Sequence, residues 1–271
     1  MINTSKKTFL TFAPALFALV LTAACGRTAG EDSAEKVTNG VVIKDSSFPS
    51  TVLLVLLTPE GQGLCTGTFV NDSQVVTAGH CVEGLTATKP SLYFAAEKNG
   101  KLALVAQAIS FARNPNYSID KGVSPYDVSV VTFPANSAPA VTPLADRTPA
   151  IGQEFTIVGF GNNKNFKDIK GVLSGSGAGV KRQGNNYINS VDGGMLGFGG
   201  VTGTTDVEGA DAGTYVSSGE GDSGGPLLVD GKLAGITSGG GLAQTKDGVD
   251  VSVSFYVDLN SPSSRQFLAT A

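Results

Sequence analysis

Residues Gly221-Asp222-Ser223-Gly224-Gly225-Pro226 carry the most information in this chain. Their glycines allow a tight backbone turn, and a serine stands in the middle of it. Far upstream, residues 77–81 read Thr-Ala-Gly-His-Cys and include His80, the only histidine among 271 residues. Residues 126–131 place Asp127 directly before an apolar run of strand character. Taken singly, the serine segment is as typical of a surface turn, the lone histidine of a structural or solvated residue, and Asp127 of a turn cap. Together they indicate a nucleophile, a general base and a carboxylate.

These residue types suit one kind of chemistry. A serine hydroxyl is a weak nucleophile until a base takes its proton during the attack. Histidine titrates near neutral pH, so His80 is the candidate base. A carboxylate on the second ring nitrogen would hold the imidazole in one tautomer and stabilise the imidazolium, which is the role expected of Asp127. The backbone N–H groups of Gly221 and Ser223 would form the oxyanion hole.

The chain order His80, Asp127, Ser223 resembles that of the chymotrypsin-like serine proteases of the trypsin superfamily, in a bacterial exported form. Subtilisins and α/β-hydrolases carry the same residue types in other orders. The resemblance extends from Val37 onward. It implies an all-β fold of two packed six-stranded antiparallel Greek-key barrels with a short C-terminal helix. It also implies a serine endopeptidase that hydrolyses peptide bonds through an acyl-enzyme intermediate.

Two other functions remain open at this point. Family members that have lost activity serve as binding or adhesion modules, and such proteins typically lose the histidine or the serine. This chain retains His80, Ser223 and the neighbouring glycines. An esterase would use the same chemistry, so only substrates separate it from a peptidase. The expected partners are protein or peptide substrates and protein inhibitors of proteases. No cofactor is expected, and the protein is expected to be a monomer.

The chain has three cysteines. Cys65 and Cys81 flank a segment that resembles the histidine loop of the family, and the resemblance implies a disulfide between them. Exported proteins can keep such a bond, and two free buried thiols are the alternative. With one histidine and two cysteines that are expected to be paired, the sequence offers no zinc site, and no metal is expected.

The N-terminus is typical of an export signal. Two lysines precede an apolar run that is short for a membrane span, so residues 1–24 are predicted to be a signal peptide. Residues 21–25 resemble a bacterial lipobox, which would make Cys25 a lipid acceptor. Cleavage by the ordinary signal peptidase before Cys25 is the alternative. Residues 25–36 are predicted to be a lipidated linker or propeptide, and the protein is expected at the cell envelope, or in the periplasm or medium after processing.

The charge pattern argues against one class of partner. The net charge is −4, and the sequence has no basic block or aromatic stacking platform of the kind that binds nucleic acid. Nucleic acid is therefore not an expected partner. Contact with a membrane is expected only through a lipid on Cys25.

Apolar runs between turn signals predict strands along most of the chain. They cover residues 51–57, 74–77, 102–110, 128–133, 155–160, 172–180, 226–229, 233–238 and 249–257. The four prolines between residues 134 and 149 predict a connection between two halves. The predicted parts are an N-terminal barrel at 37–140, a C-terminal barrel at 141–260 and a C-terminal helix at 261–271. The glycine-rich region 161–221 is expected to form mobile surface loops around the specificity site, and a low-complexity insertion without function is the alternative.

The resemblance also predicts the substrate pocket. Its expected lining residues are Ser217, Ser238, Gly240 and Gly248. Ser217 stands where trypsin-like members carry an acid that pairs with lysine or arginine, so an uncharged base and glycine walls favour apolar or aromatic residues before the cut bond. Asp247 and Asp250 lie nearby in the same alignment, and an inward carboxylate would favour basic residues instead.

An activation site is the last feature that the resemblance implies. Residues 37–40, Val-Thr-Asn-Gly, resemble the mature N-terminus of the family, and Lys36 suits cleavage by a trypsin-like protease. The new ammonium group of Val37 would pair with Asp222 and order the oxyanion hole. Such a buried pair acts as a switch because either charge alone is costly to bury. Since Cys25 lies upstream, the same cut would free the enzyme from a lipid. The alternative is that a linker simply meets the first strand here.

Overall fold

The computed structural model describes residues 37–271 except 60, 99–100, 168–172, 203–209, 247 and 249. Within these residues the chain forms two large antiparallel sheets, one two-stranded ribbon and one short α-helix. The predicted signal peptide, Cys25 and Lys36 lie outside the described residues. Among the described residues, no helix has the length and apolar character needed to cross a membrane.

The described chain begins with a short strand, β1 (Val41–Val42). The first large sheet follows and comprises β2 (Thr51–Thr58), β3 (Gly61–Phe69), β4 (Gln74–Thr77), β5 (Leu92–Lys98), β6 (Lys101–Gln107), β7 (Ser110–Arg113) and β8 (Ser129–Thr132). Their order in space is β6-β5-β2-β3-β4-β8-β7. Two single-turn 3-10 helices lie in its loops, at His80–Val82 and Ile119–Lys121.

The second half of the chain supplies the other sheet, the ribbon and the helix. Its elements are β9 (Glu154–Gly159), β10 (Lys164–Lys167), β11 (Leu173–Ser176), β12 (Arg182–Tyr187), β13 (Ser190–Asp192), β14 (Met195–Gly200), β15 (Pro226–Val229), β16 (Lys232–Gln244), β17 (Asp250–Asp258) and α1 (Pro262–Leu268). Within the described residues, strands β10 and β11 pair only with each other, and the sheet order is β1-β12-β9-β15-β16-β17-β14-β13.

The architecture is the expected all-β pair of antiparallel sheets with a C-terminal helix, as in chymotrypsin-like proteins. The strand counts differ from the expectation, since the described residues give seven and eight strands where six each were predicted. One cause is β1, which pairs with β12 so that Val42 lies opposite Arg182. The first residues of the predicted N-terminal barrel therefore lie against the second sheet and not within the first.

Each sheet encloses its own aromatic cluster. Phe69, Phe94 and Phe133 pack in the first core with ring centroids 5.1–5.8 Å apart. The second core contains Phe155, Phe198 and Tyr256, with neighbouring centroids 4.5 and 5.4 Å apart. Such contacts stabilise a core beyond the burial of apolar area alone.

A third core joins the two sheets. Val76 and Val128 from the first sheet side pack in one cluster with Leu228 and Ile236 from the second. Val76 lies in β4, just before the segment that carries His80, and Val128 directly follows Asp127. The backbone segments that carry His80 and Asp127 are therefore fixed at the place where the two sheets pack together.

The region 161–221 departs from the sequence-based expectation. Surface loops were predicted there, but strands β10 to β14 form within it. β12 reads Arg-Gln-Gly-Asn-Asn-Tyr, and glycine and asparagine are depleted in strands generally. Its pairing with β9 over six residues, in a sheet interior, outweighs this local preference. The prediction of loops was wrong for this reason.

Two further predictions meet the structure more closely. Residues 133–153, all of them described, contain no strand, as their prolines predicted. The helix α1 begins after Ser261, whose hydroxyl accepts the N–H of Ser264 at 3.3 Å, and Pro262 occupies its first turn. These are ordinary helix-starting features, and the helix ends three residues earlier than predicted.

Candidate active site

His80 and Asp127 are in direct contact. His80 follows β4, Asp127 precedes β8, and these two strands are paired neighbours. His80 Nδ1 lies 2.8 Å from Asp127 Oδ2, and the backbone N–H of His80 donates to Oδ1 at 2.9 Å. An ionised carboxylate only accepts hydrogen bonds, so the proton between them sits on Nδ1. This tautomer leaves Nε2 of His80 as an acceptor that can take a proton.

The carboxylate of Asp127 is shielded and the imidazole is reachable. The side chain of Asp127 is 1% exposed, whereas that of His80 is 23% exposed. Ser238 Oγ donates to Asp127 Oδ2 at 2.7 Å and accepts the N–H of Ser124 at 3.3 Å. Ser238 was predicted to line the substrate pocket, but its hydroxyl faces the carboxylate instead. Its contribution is therefore to hold Asp127.

Ser223 lies beside the segment that carries His80. The carbonyl oxygen of Ser223 lies 3.6 Å from Sγ of Cys81, the residue after His80. The next residue, Gly224, packs so closely that a Cβ there would clash with Thr77 Oγ1. The Ser223 hydroxyl makes no hydrogen bond to His80 within the described structure. Catalytic hydrogen bonds are often long in unliganded enzymes and shorten when substrate binds.

The loop around Ser223 contains two unpaired backbone donors. In the described part of the chain, the N–H groups of Gly221 and Ser223 have no protein acceptor. The N–H groups of Asp222, Gly224 and Gly225 in the same loop are all paired. Buried N–H groups without acceptors are rare, and two in one loop can bind an oxygen that bears negative charge.

The side chain of Asp222 points away from these donors into the protein. Its Oδ1 accepts the N–H of Gly161 at 2.7 Å, and its Oδ2 accepts that of Gly219 at 2.8 Å. Burial raises the pKa of this carboxyl group to about 6, although the two N–H groups and the charge of Arg182 act in the opposite direction. Arg182 is itself fully buried, and its Nη1 donates to Gly161 O at 3.0 Å. Burial lowers the pKa of Arg182 to about 10, so it stays charged at neutral pH.

Val37 is buried in the second core. Its side chain is 1% exposed and belongs to the cluster that contains Phe155 and Val216. The following residues are also held, because Asn39 Nδ2 donates to Thr214 O at 2.6 Å. In the uncut chain the nitrogen of Val37 belongs to a peptide bond, so its pairing with Asp222 as an ammonium group stays a prediction.

A cavity of about 140 Å³ opens beside Ser223. It is lined by Ser218, Gly219, Glu220, Ser223, Thr237, Gly239, Gly240, Gly241 and Ser252. Among the predicted pocket residues, Gly240 lies in this lining. The charged residue of the lining is Glu220, which is exposed and accepts Asn162 Nδ2 at 3.4 Å.

Ser217 and Gly248 are located elsewhere. Ser217 is fully buried and its hydroxyl donates to Val201 O at 2.9 Å. Successive side chains of an extended segment point to opposite sides, so Ser218 faces the cavity in its place. Gly248 lies in the exposed turn between β16 and β17, where its N–H donates to Thr245 O. The prediction of these two residues in the lining was wrong. Asp247 lies outside the described residues, and Asp250 begins β17.

Cys65 and Cys81 form a disulfide in the structure. It joins β3 to the 3-10 helix that starts at His80, which fixes the base to the first sheet. A His80 ring nitrogen and the two sulfur atoms lie within 4.8 Å of one another. Metals bind thiolates, and sulfur atoms joined in a disulfide are not thiolates, so this trio does not form a zinc site.

Comparison with known proteins agrees with this geometry. A sequence model of the Trypsin family matches residues 37–260. The chain belongs to the trypsin family. It is 31% identical to Trypsin of Saccharopolyspora erythraea, over 78% of this chain and 90% of that protein. It is 28% identical to Serine protease 1 of Canis lupus familiaris over 83% and 89%, and 27% identical to Trypsin of Sus scrofa over 84% and 95%. As a member of the trypsin family, the protein is a serine endopeptidase.

Sequence reasoning missed several residues of this trypsin-family site. Ser218 and Ser252 line the cavity, and Arg182 is buried where its charge acts on the carboxyl group of Asp222. The hydroxyl of Thr66 contacts the loop that carries Ser223. Arg182 lies outside every predicted strand, in the region that was predicted to form surface loops, so no sequence pattern marked it. The serines and Thr66 carry no such signal either, because their roles depend on which strands become neighbours.

Proposed function

We propose that Ser223, His80 and Asp127 form the catalytic triad of this serine endopeptidase. The observation that carries the proposal is the carboxylate of Asp127, which bonds the backbone and the ring of His80 at 2.9 and 2.8 Å. Ser223 lies next to the same segment, and the two unpaired N–H groups beside it supply an oxyanion hole. The arrangement combines a nucleophile, an oriented base and donors for developing charge.

The reaction follows from these positions. Ser223 Oγ attacks the carbonyl carbon of the scissile bond while His80 Nε2 takes the hydroxyl proton. The carbonyl oxygen becomes negative and accepts hydrogen bonds from the N–H groups of Gly221 and Ser223. His80 then gives its proton to the leaving amine, the C–N bond breaks and an acyl-enzyme remains. Water attacks the ester with His80 again as base, and Asp127 stays ionised throughout.

The other two functions are less well supported. A binding module that has lost catalysis has no need for an oriented imidazole or for unpaired N–H groups next to Ser223, and unpaired buried donors are costly. An esterase would leave the same residues in place. Relatives named trypsin and serine protease favour peptide bonds as the substrate.

The pocket supports a preference for uncharged side chains before the cut bond. Its interior is lined by Ser218, Thr237, Gly240 and Ser252, none of which carries a charge. We propose apolar or aromatic residues at this position of the substrate. Glu220 at the rim is the acid that would attract a basic residue instead.

Activation by cleavage after Lys36 is the remaining part of the proposal. The cut would give Val37 an ammonium group, and its pairing with Asp222 would complete the buried environment behind the oxyanion hole. Support comes from Val37, which is already buried in the second core, and from Asp222, whose carboxylate is buried. With a lipid on Cys25, the same cut would release an active enzyme from the cell envelope.

The test is a comparison of variants in peptide hydrolysis. Ser223→Ala and His80→Ala should each lower kcat by several powers of ten, and the double variant should be little worse than either, because the residues act as one unit. Ser50→Ala is the control, since it removes another buried hydroxyl, one that bonds Thr142 Oγ1 at 2.6 Å and none of the three triad residues. Full activity of Ser223→Ala would refute the triad.

A further inference from the structure

Thr66 has an unusual position for a residue of the first sheet. Its Oγ1 donates to Gly221 O at 2.9 Å and accepts the N–H of Phe160 at 3.3 Å. Its backbone N–H donates to Ser223 O at 2.8 Å, and its carbonyl accepts Thr77 Oγ1 at 2.8 Å. Thr66 is fully buried, so water does not replace these bonds. Thr66 therefore forms hydrogen bonds with the carbonyl oxygens of Gly221 and Ser223, the two residues whose N–H groups are the proposed oxyanion donors.

The peptide group that the Thr66 hydroxyl holds joins Gly221 to Asp222. It lies between the two peptide groups whose N–H groups are the proposed oxyanion donors. Gly221 has a φ of +97°, and without a Cβ its flanking peptide groups are only weakly restrained by sterics. Their orientation therefore depends on hydrogen bonds, among them the bond from the Asp222 N–H to Gly219 O at 3.0 Å within the loop.

Backbone bonds hold the two neighbouring peptide groups. The N–H of Asn162 donates to Glu220 O at 2.7 Å, which turns the N–H of Gly221 to the opposite side. The N–H of Gly225 donates to Asp222 O at 2.7 Å, which does the same for Ser223. For the carbonyl of the middle peptide group, the Thr66 hydroxyl is the partner.

We propose that Thr66 is a positioning residue that keeps the oxyanion hole in its active orientation. The inference rests on the proposed function of Gly221 and Ser223 as oxyanion donors. Without the hydroxyl, Gly221 O and the N–H of Phe160 lose their partner in a buried site. The free energy cost of these unsatisfied groups favours a rearranged loop. Thr66 does not touch the substrate, so its loss should affect the transition state and leave ground-state binding nearly unchanged.

The experiment compares three variants of the full chain, each purified in the processed form that carries activity. Thr66→Val removes the hydroxyl and keeps the shape, and Thr66→Ser keeps the hydroxyl and removes a methyl group. Thr68→Val is the matched control, because Thr68 is equally buried on β3 and its Oγ1 has no hydrogen-bond partner among the described residues. The readouts are kcat and KM on one cleaved peptide, and the rate at which a fluorophosphonate labels Ser223.

Thr66→Val should lower kcat and the labelling rate by about tenfold or more, with KM changed less than about twofold. Thr66→Ser should retain most of both rates, and Thr68→Val should match the wild type. Equal losses in Thr66→Ser and Thr66→Val would overturn the inference, as would a Thr66→Val enzyme with wild-type kcat. If Thr66→Val does not fold, Thr66→Ala takes its place: it also lacks the hydroxyl and should show the same loss of kcat, and a Thr66→Ala enzyme with wild-type kcat would overturn the inference. An unlabelled wild type would instead refute the proposed function.

Discussion

Ser238 Oγ lies 2.7 Å from Asp127 Oδ2, the same oxygen that faces His80 Nδ1 at 2.8 Å. Oδ1 of Asp127 accepts the backbone N–H of His80. The carboxylate therefore has three donors around it and little freedom to rotate. The orientation of the base thus depends on residues from both halves of the chain.

Loss of the Ser238 hydroxyl should weaken this arrangement without abolishing it. Ser238→Ala should lower kcat by about twofold to tenfold, which corresponds to one buried hydrogen bond among three. The measurement is steady-state kinetics of peptide hydrolysis, with Ser50→Ala as the control for a buried serine. A loss as large as that of Asp127→Asn, where about 10⁴ is expected, would show that Ser238 acts directly in the reaction.

The stability of the uncut chain should depend on the pH through Asp222. Its folded pKa of about 6 lies above the ordinary value of 3.8, so the folded chain binds more protons than the unfolded chain between these values. The free energy of unfolding should therefore rise as the pH falls from 7 to 4, by an amount on the order of 3 kcal/mol from this group. The test is urea unfolding between pH 7 and pH 4 of two uncut chains, the single variant Lys36→Gln and the double variant Lys36→Gln with Asp222→Asn. Only the single variant should gain stability through residue 222 as the pH falls.

The cut chain should behave differently. If the ammonium group of Val37 pairs with Asp222, the pKa of the carboxyl group falls and acid no longer stabilises the protein through this residue. Cut and uncut chains with the same pH profile would contradict activation by this pair. The same profile with and without Asp222 in the uncut chain would contradict the raised pKa.

The two neighbouring serines of the pocket region should respond differently to a new acid. Ser218→Asp puts a carboxylate in the cavity lining, so cleavage after lysine and arginine should increase about tenfold or more relative to apolar residues. Ser217→Asp would bury a charge against Val201 O and should destabilise the protein without this gain. Profiles on a peptide library measure both. A basic preference created by Ser217→Asp and not by Ser218→Asp would show that the cavity is lined differently.

Removal of the disulfide should cost stability more than chemistry. The bridge closes a loop with a sequence separation of 16 residues. Removal of a disulfide that closes a loop of this size lowers the free energy of unfolding by about 3 kcal/mol. Replacing both Cys65 and Cys81 with alanine should show this in urea unfolding, and reduction of the wild type should give the same shift. A change below about 1 kcal/mol would mean that the surrounding core alone fixes the histidine segment.

The sequence alone was sufficient for the fold class and for the contacts of His80 with Asp127. Both follow from short segments whose residue types have few other uses together. The strand at 74–77 also has its predicted bounds, because an apolar run between turns allows little else. The boundary between the two halves could not be predicted as well, because β1 joins the second sheet through a pairing with β12 that no local sequence pattern encodes.

The pocket could not be predicted residue by residue for a related reason. The choice between Ser217 and Ser218 depends on which side of an extended segment faces the cavity, and a shift of one residue reverses it. Gly248 was assigned from the family resemblance, but β16 and β17 are long enough to carry it to an exposed turn. The role of Thr66 could not be predicted either, because its hydrogen-bond partners Gly221 and Phe160 are distant in sequence.

Covalent labelling of Ser223 tests directly whether Ser223 is a nucleophile that His80 activates. The processed protein is treated with a fluorophosphonate, digested and examined by mass spectrometry, beside His80→Ala and Ser50→Ala. If Ser223 is the nucleophile and His80 its base, one phosphonyl group is expected on Ser223 in the wild type and in Ser50→Ala, with labelling slowed by several powers of ten in His80→Ala. Active protein that is labelled elsewhere, or that is labelled at Ser223 equally fast without His80, would contradict the central claim.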